Sequence, residues 1–462
     1  MHTMYKSCDS RNLFQGLAIS KDEDFEKHLN RYPVLYLDMT DFVTKYGNDE
    51  QLVEHIKRDI CEELLELYKG VVMKPNDDLM DLLVSIVNQT GEKFVCLIDE
   101  WDALCREGQE KQMDEYVNLL RRLFKGSMSE YVFACSYMTG ILPIKRYNTQ
   151  SALNNFDEYT MLSPAQLAPY FGFTENEVEQ LCTEVGMDAY KMKRWYDGYE
   201  LGAEKAMYNP YAVMRALKRK SYESFWTSTN TFESLKRYIT MNFEGLKDDV
   251  LSMIAGESIP VNTGSFTNDM TTFRNEDDVL TLLVHLGYLT YDYENRCVSI
   301  PNAEIREEYV NTVSVADWGE VSKALKNSAD TLKAIWQMRP KQVAQGIKEA
   351  HFETSHLQYN DENALSYTIS LALYAARNFY TMHRELAGGK GFADIVFIPR
   401  KKFPDKPAMV VELKWNKSAE GAISQIKNKE YCASLEEYKG DLLMVGINYN
   451  KKTREHTCII EE

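Results

Sequence analysis

Apolar residues in the first 140 positions gather in three short runs, Val34 to Leu37, Phe94 to Ile98 and Tyr131 to Cys135. Between them lie stretches with helical spacing, such as Gln51 to Tyr68 and Asp114 to Phe124. Strands with little polar interruption, alternating with amphipathic helices, predict a parallel sheet covered on both faces. From about Ser163 the pattern turns helical, and Thr174-Glu-Asn-Glu opens a helix that ends near Gly186. Glu276 to Leu286 predicts a helix closed by Gly287. It is followed by a strand at Tyr288 to Tyr293, a turn at Glu294-Asn295, a strand at Cys297 to Ile300 and a charged helix after Pro301. That order is winged-helix-like, and it is equally the order of an ordinary α+β packing unit. Trp336 to Phe379 reads as helices, and strands return at Ala393 to Ile398, Ala408 to Trp415 and Leu442 to Ile447. The expected linker lies between Asn311 and Pro340.

The length of 462 residues exceeds what one hydrophobic core serves, so two or three domains are expected. No apolar stretch approaches the roughly 18 residues of a membrane helix, and the start, MHTMYKSCDS, lacks the layout of a secretory signal. A cytoplasmic protein without a membrane partner is expected. The nine cysteines form no CxxC pair, which argues against a zinc site or a disulfide framework. The net charge of −17 argues against a surface coated in Lys and Arg for indiscriminate binding to phosphates. The charge is uneven: from Glu385 onward 13 Lys and Arg stand against 12 Asp and Glu, so the acidity lies upstream and nucleic-acid contacts are expected in the tail.

Charged residues interrupt two of the late apolar runs. Asp394 opens Phe392-Ala-Asp-Ile-Val-Phe-Ile-Pro, while Glu412 and Lys414 share one face of the strand in Met409-Val-Val-Glu-Leu-Lys-Trp. Burying such charges is unfavourable unless they are paired or hold an ion. If the two strands are neighbours, Asp394 and Glu412 converge as hard oxygen ligands for Mg2+ or Mn2+. A metal there would bind a scissile phosphate and lower the pKa of a bound water, with Lys414 orienting that water or stabilising developing charge. Glu385, placed on a preceding helix, would add or position a ligand. Taken singly, each of these residues is an ordinary surface or strand-end residue; the conjunction carries the signal.

The order Glu385, Asp394, Glu412-Leu-Lys414, then Gln425 and Tyr431 on a following helix, resembles the PD-(D/E)XK nuclease superfamily. More narrowly, GKGFADIVFIP, VVELKW and the QIKNKEY helix look like the C-terminal nuclease-like domain fused to AAA-ATPase-like regions in bacterial proteins. Related sequences often carry Arg two residues before the motif aspartate, where this chain has Phe392. The resemblance implies Asp394, Glu412, Lys414, Glu385, Gln425 and Tyr431 as catalytic residues, with Asp394 and Glu412 on the metal.

Upstream, Phe94-Val-Cys-Leu-Ile-Asp-Glu is an apolar strand ending in two acids, a Walker B arrangement in which Asp99 would assist Mg2+ and Glu100 polarise water. IDEWDAL, TGILPIKRYNTQSALNNFDEYTML, KRWYDGYEL and YNPYAVMRAL resemble the AAA-ATPase-like family, whose members precede these elements with a Walker A loop. G-x-x-x-x-G-K-[ST] occurs nowhere in this sequence, and Gly388-Gly-Lys-Gly lacks the spacing. Without backbone N–H groups and a lysine to cradle phosphates, ATP binding and hydrolysis are not expected. The chain looks as if it begins just after that loop, through truncation or degeneration. Trp195, Tyr196, Tyr199 and Tyr211 are read as packing residues, and the histidines, His285, His351 and His356 among them, as packed or solvated.

The expected fold class is therefore multidomain α/β and α+β. An incomplete P-loop, AAA-like parallel-sheet core spans 1–163, a helical and winged-helix-like part 164–320, and a helical linker with a PD-(D/E)XK mixed-sheet domain 321–462. The expected function is Mg2+-dependent phosphodiester hydrolysis of nucleic acid, DNA first, with homo-oligomers among the compatible assemblies. A non-catalytic nucleic-acid-binding or assembly module, and an ATP-dependent regulator once a phosphate-binding loop is supplied, are the alternatives.

Overall fold

The computed structural model describes residues 9–47, 49–106, 110–141, 155–225, 231–241, 243, 245–266, 273–315, 319–353, 368–388, 391–400, 403–428 and 441–462. The fold is mixed α/β and divides into two compact units, Met1–Ala165 with Thr263–Arg274, and Gln166–Asn262 with Asn275–Glu462.

In the first unit, β1 (Val34–Asp38), β2 (Phe94–Asp99) and β3 (Phe133–Met138) form a parallel sheet in that order. One face carries Leu35, Leu37, Phe94, Cys96, Ile98 and Phe133, all buried. The inward stripes of Leu52–Leu67 (Ile56, Ile60, Leu64) and Leu79–Thr90 (Leu82, Leu83, Ile86) are buried with it. Phe124, which ends the helix Glu110–Phe124, meets Phe133 at a ring separation of 5.3 Å. The other face departs from the expectation of a doubly covered sheet. Its positions on β1 and β2 are only half-buried, and Ala134, Cys135 and Tyr137 of β3 are exposed. Tyr131 and Val132 also leave the expected strand, because Ser127–Val132 is helical and pairing with β2 starts at Phe133.

The second unit opens with β4 (Phe173–Thr174), β5 (Tyr199–Leu201) and β6 (Glu204–Tyr208), a small antiparallel sheet in the order β4-β6-β5. Sequence periodicity missed it because β4 and β5 are two and three residues long and the five residues of β6, EKAMY, do not alternate. The helix Glu175–Val185 starts as predicted: Thr174 N–H donates to Glu177 Oε2 at 2.9 Å, and Gly186 ends it at φ +74°. Further on, β7 (Ile259–Pro260) joins β8 (Thr290–Asp292) and β9 (Cys297–Ser299), which lie in sequence between the helices Glu276–His285 and Ala303–Val315, in a second antiparallel sheet of order β7-β9-β8. The predicted helix, hairpin, helix order is present. Across the segment read as a linker, Asn311 to Pro340, the described residues are helical, in Ala303–Val315 and Gly319–Trp336.

The tail builds a five-stranded mixed sheet, β10 (Tyr380–Gly388), β11 (Gly391–Pro399), β12 (Ala408–Trp415), β13 (Leu442–Asn450) and β14 (Glu455–Glu461), in chain order. Only β12 and β13 are parallel, and the helix Ala419–Asn428 lies between them in sequence as a crossover requires. The two faces pack separately. Val411, Leu413, Val445 and Ile447 join Ile335, Val343 and Ile347 in a large core, while Val396 and Val410 meet Ile423 and Ile426 of the crossover helix on the other side.

Gly198, at φ +109°, lies against the Pro301 carbonyl so closely that a Cβ would overlap it. Gly198→Ala is expected to destabilise the second unit by about 2 kcal/mol or more, through left-handed strain and steric overlap together. Calorimetric unfolding checks this, and an unchanged transition would refute it.

Candidate functional site

β12 is buried at every residue but its last, so the charges it carries must be matched inside the domain. Glu412 has no exposed surface and Lys414 only 7%. Lys414 Nζ donates to Glu412 Oε1 at 2.9 Å and to the Leu413 carbonyl at 3.0 Å. Gln425 Nε2, from the crossover helix, donates to the same Glu412 oxygen. The alternation read from the sequence holds here. Glu412 faces the crossover helix, while Val411 and Leu413 lie in the opposite core.

A glycine sets the spacing between this helix and the sheet. Gly446 pairs with Glu412 across the parallel ladder, and a Cβ on it would lie 2.6 Å from the Ala419 carbonyl oxygen and 2.9 Å from Ile423 Cγ1. The missing side chain lets the helix approach closely enough for Gln425 to reach Glu412. Lys414 pairs in register with Asn448, whose Oδ1 accepts from Lys417 N–H at 2.9 Å and fixes the exit of β12.

Register extends the site across three strands. β11 pairs antiparallel with β12 through Ile395↔Val411, the pair that ends this ladder and brings positions 394 and 412 next in line. β10 pairs with β11 through Arg384↔Ile395 and Leu386↔Ala393, so Glu385 falls between them, opposite Asp394. Three carboxylate residues thus occupy one cross-strand row, Glu385, Asp394 and Glu412. One expectation is corrected: Glu385 is on strand β10, not on a helix, because Tyr380–Gly388 pairs along its length with β11. Tyr431 lies outside the described residues.

In the first unit, Asp38 and Asp99 pair in register at the carboxyl ends of β1 and β2. Asp99 accepts hydrogen bonds from the Tyr36 hydroxyl at 3.1 Å and from the Thr139 hydroxyl. Glu100, at φ +53°, turns out of the strand and pairs with Arg106; partial burial raises its pKa, against the opposing pull of Arg106. Asp102, fully buried, accepts from Ile141 N–H at 3.2 Å and lies 3.4 Å from Arg106 Nε, tying the loop after β3 to the end of β2. Asp102 and Arg106 were not singled out from sequence, although their i, i+4 spacing in IDEWDALCR was a usable signal. The cleft beside Asp38, about 740 Å³, is lined by Asp41, Asp59, Glu62, Glu63 and Glu66, with Lys45 already bound to Asp59 at 2.7 Å. Such a lining repels phosphate.

Two family models match this sequence, a predicted AAA-ATPase over residues 1–149 and the PD-(D/E)XK nuclease superfamily over residues 362–458. The chain joins an AAA-ATPase-like part to a PD-(D/E)XK superfamily domain. It is also similar to an uncharacterized protein in the vnfD 5' region of Azotobacter chroococcum mcd 1, 24% identical over 231 residues, covering 47% of this chain and 42% of that protein. The PD-(D/E)XK match contains the carboxylate row, Lys414 and Gln425, and the AAA-ATPase match contains Asp99 and Glu100. No described helix is long and apolar enough to cross a membrane.

Two outcomes follow from the burial of the PD-(D/E)XK pair. Glu412→Ala strands an ammonium group and is expected to destabilise the domain by about 3–5 kcal/mol, whereas Glu412→Leu with Lys414→Met restores most of the loss. Urea unfolding of the three proteins measures this. Separately, Gly446→Ala lifts the crossover helix, so Gln425→Ala is expected to destabilise the Gly446→Ala protein less than the wild type. A double-mutant cycle detects that coupling, and additive effects would refute it.

Proposed function

We propose that the PD-(D/E)XK domain hydrolyses phosphodiester bonds of DNA with a divalent cation. The observation that carries this reading is the row Glu385, Asp394 and Glu412, with Lys414 bound to its last member. The donor set fits Mg2+ or Mn2+: carboxylate oxygens are hard ligands, and Asp394 and Glu412 are the residues that would hold the ion. Bound there, the cation would supply Lewis acidity toward a phosphate oxygen and acidify a water.

The remaining work falls to the chain itself. Lys414 has an ammonium group with three donors, two of which are directed at Glu412 and the Leu413 carbonyl. It provides a fixed positive charge beside the phosphate that accepts negative charge in the transition state. Gln425 holds the Glu412 carboxylate in one orientation, and the buried strand gives both residues little freedom. The AAA-ATPase-like part is read as a positioning or assembly element without ATP turnover. Asp99 and Glu100 are engaged by Tyr36, Thr139 and Arg106, and the neighbouring cleft is acidic.

Cleavage of plasmid and single-stranded DNA in Mg2+ or Mn2+ tests the proposal. Wild type is expected to cleave, with Asp394→Ala, Glu412→Ala and Lys414→Ala each slower by roughly 100-fold or more. A folded Glu412→Ala protein that cleaves at the wild-type rate would overturn it. DNA binding without cleavage by the folded wild type would favour the non-catalytic module.

A further inference from the structure

Four arginines from four segments of the second unit lie close together. They are Arg194 on the helix Ala189–Tyr196, Arg306 on Ala303–Val315, Arg377 on the turn Tyr374–Asn378, and Arg400 directly after β11. Arg194 Nη2 is 3.4 Å from the Arg377 carbonyl, and Arg377 Nη2 donates to the Ala255 carbonyl. Arg400 is anchored by its backbone N–H, which donates to the Phe379 carbonyl at 3.0 Å.

Their charges interact. Burial, with repulsion from Arg306 and Arg400, pushes Arg377 down to about 9. Arg306 and Arg400 are lowered mainly by burial and further by Arg194. Among the described residues, Glu307 is the carboxylate that opposes them, beside Arg194. Guanidinium groups gathered in a fold are ordinarily matched by carboxylate or phosphate in a planar, two-pronged geometry. Here Arg306 Nε and Arg400 Nε and Nη1 are buried and meet no acceptor among the described residues. The cluster is open on one side: Arg194 is exposed, and Tyr190, one turn before it and close to Arg194 and Arg400, is 65% exposed.

We propose that Arg194, Arg306, Arg377 and Arg400 bind a backbone phosphate of a nucleic-acid strand, with Tyr190 as a stacking surface for an adjoining base. Arg306 and Arg400 supply the unused donors, and Arg377, held by the Ala255 carbonyl, fills out the positive wall. The occupant rests on the nuclease reading, since a free nucleotide carries the same phosphate chemistry. The position favours a strand. Arg400 follows Asp394 by six residues on and just beyond β11, about 20 Å at strand rise, a span that a short stretch of nucleic acid covers and a single phosphate does not.

Binding measured in EDTA separates this site from cleavage. A short fluorescein-labelled DNA strand would be titrated into wild type, Arg306→Gln, Arg400→Gln and Tyr190→Ala, with pyrophosphate titrated in parallel. Each arginine variant is expected to bind DNA about tenfold more weakly, and the log–log salt slope should fall by about one. Tyr190→Ala should weaken single strands more than duplex. Loss of pyrophosphate binding with DNA binding intact would keep the phosphate site and overturn the nucleic-acid occupant. Unchanged binding of both probes by the folded arginine variants overturns the site. Pyrophosphate should raise the melting temperature of wild type and not that of Arg306→Gln or Arg400→Gln, so a destabilised variant cannot mimic the result. A protein that binds in this way but never cleaves would sink the nuclease reading and leave the phosphate site standing.

Discussion

A carboxylate without exposed surface in the middle of an apolar strand governs the C-terminal architecture. Glu412 is stable there because Lys414, Gln425 and the close helix replace water around it. Each replacement places a demand on the fold. The lysine must be two residues along the same strand so that it shares the face. The glutamine must come from a helix seated directly over the ladder, and that seating requires a glycine at position 446. The parallel pairing of β12 with β13 follows, because the chain must cross over through that helix before it can pair again. Hydrophobic packing stabilises the sheet on both faces.

The acids of the AAA-ATPase-like part are satisfied differently. Asp99 and Glu100 stand at a strand's carboxyl end, half-buried, and their partners are two hydroxyls and an arginine of the same unit. Such partners neutralise and orient the carboxylates without any ligand. In the PD-(D/E)XK domain, by contrast, Glu412 has no exposed surface and is matched by a lysine of its own strand and a glutamine of the crossover helix.

Much of this was legible in the sequence because burial leaves a pattern. β12 was bounded correctly at Ala408 and Trp415 since every residue but Glu412 and Lys414 is apolar, and the capped helix after Thr174 was read from two side chains. Glu385 was misplaced onto a helix because RELAGGKG carries no alternation of its own; its strand identity comes from pairing with β11, a long-range cause. Gly446 and Asn448 left no chemical signal, since a glycine in an apolar strand shows its purpose only when the helix above it is known. The arginine cluster was invisible for the same reason. Its four members are spread over 206 positions, from Arg194 to Arg400, and only tertiary packing brings them together.

A net charge of −17 and an affinity for phosphate are compatible when the charges are considered locally. Screening removes the influence of exposed charges beyond about 8–10 Å at physiological salt, whereas a half-buried cluster keeps its field. On the proposed reading the arginine cluster takes an anion to relieve its repulsion, and the carboxylates take a cation. On the proposed reading a nucleic-acid strand with its divalent counterion satisfies both, one phosphate at the arginines and another, carrying the cation, at Glu412. The two local imbalances then act as complementary halves of one binding surface, and the acidic remainder of the chain disfavours phosphate elsewhere. On that reading, selectivity for a defined placement of the strand arises from the contrast, because only a ligand carrying both signs at the right separation is attracted to both places.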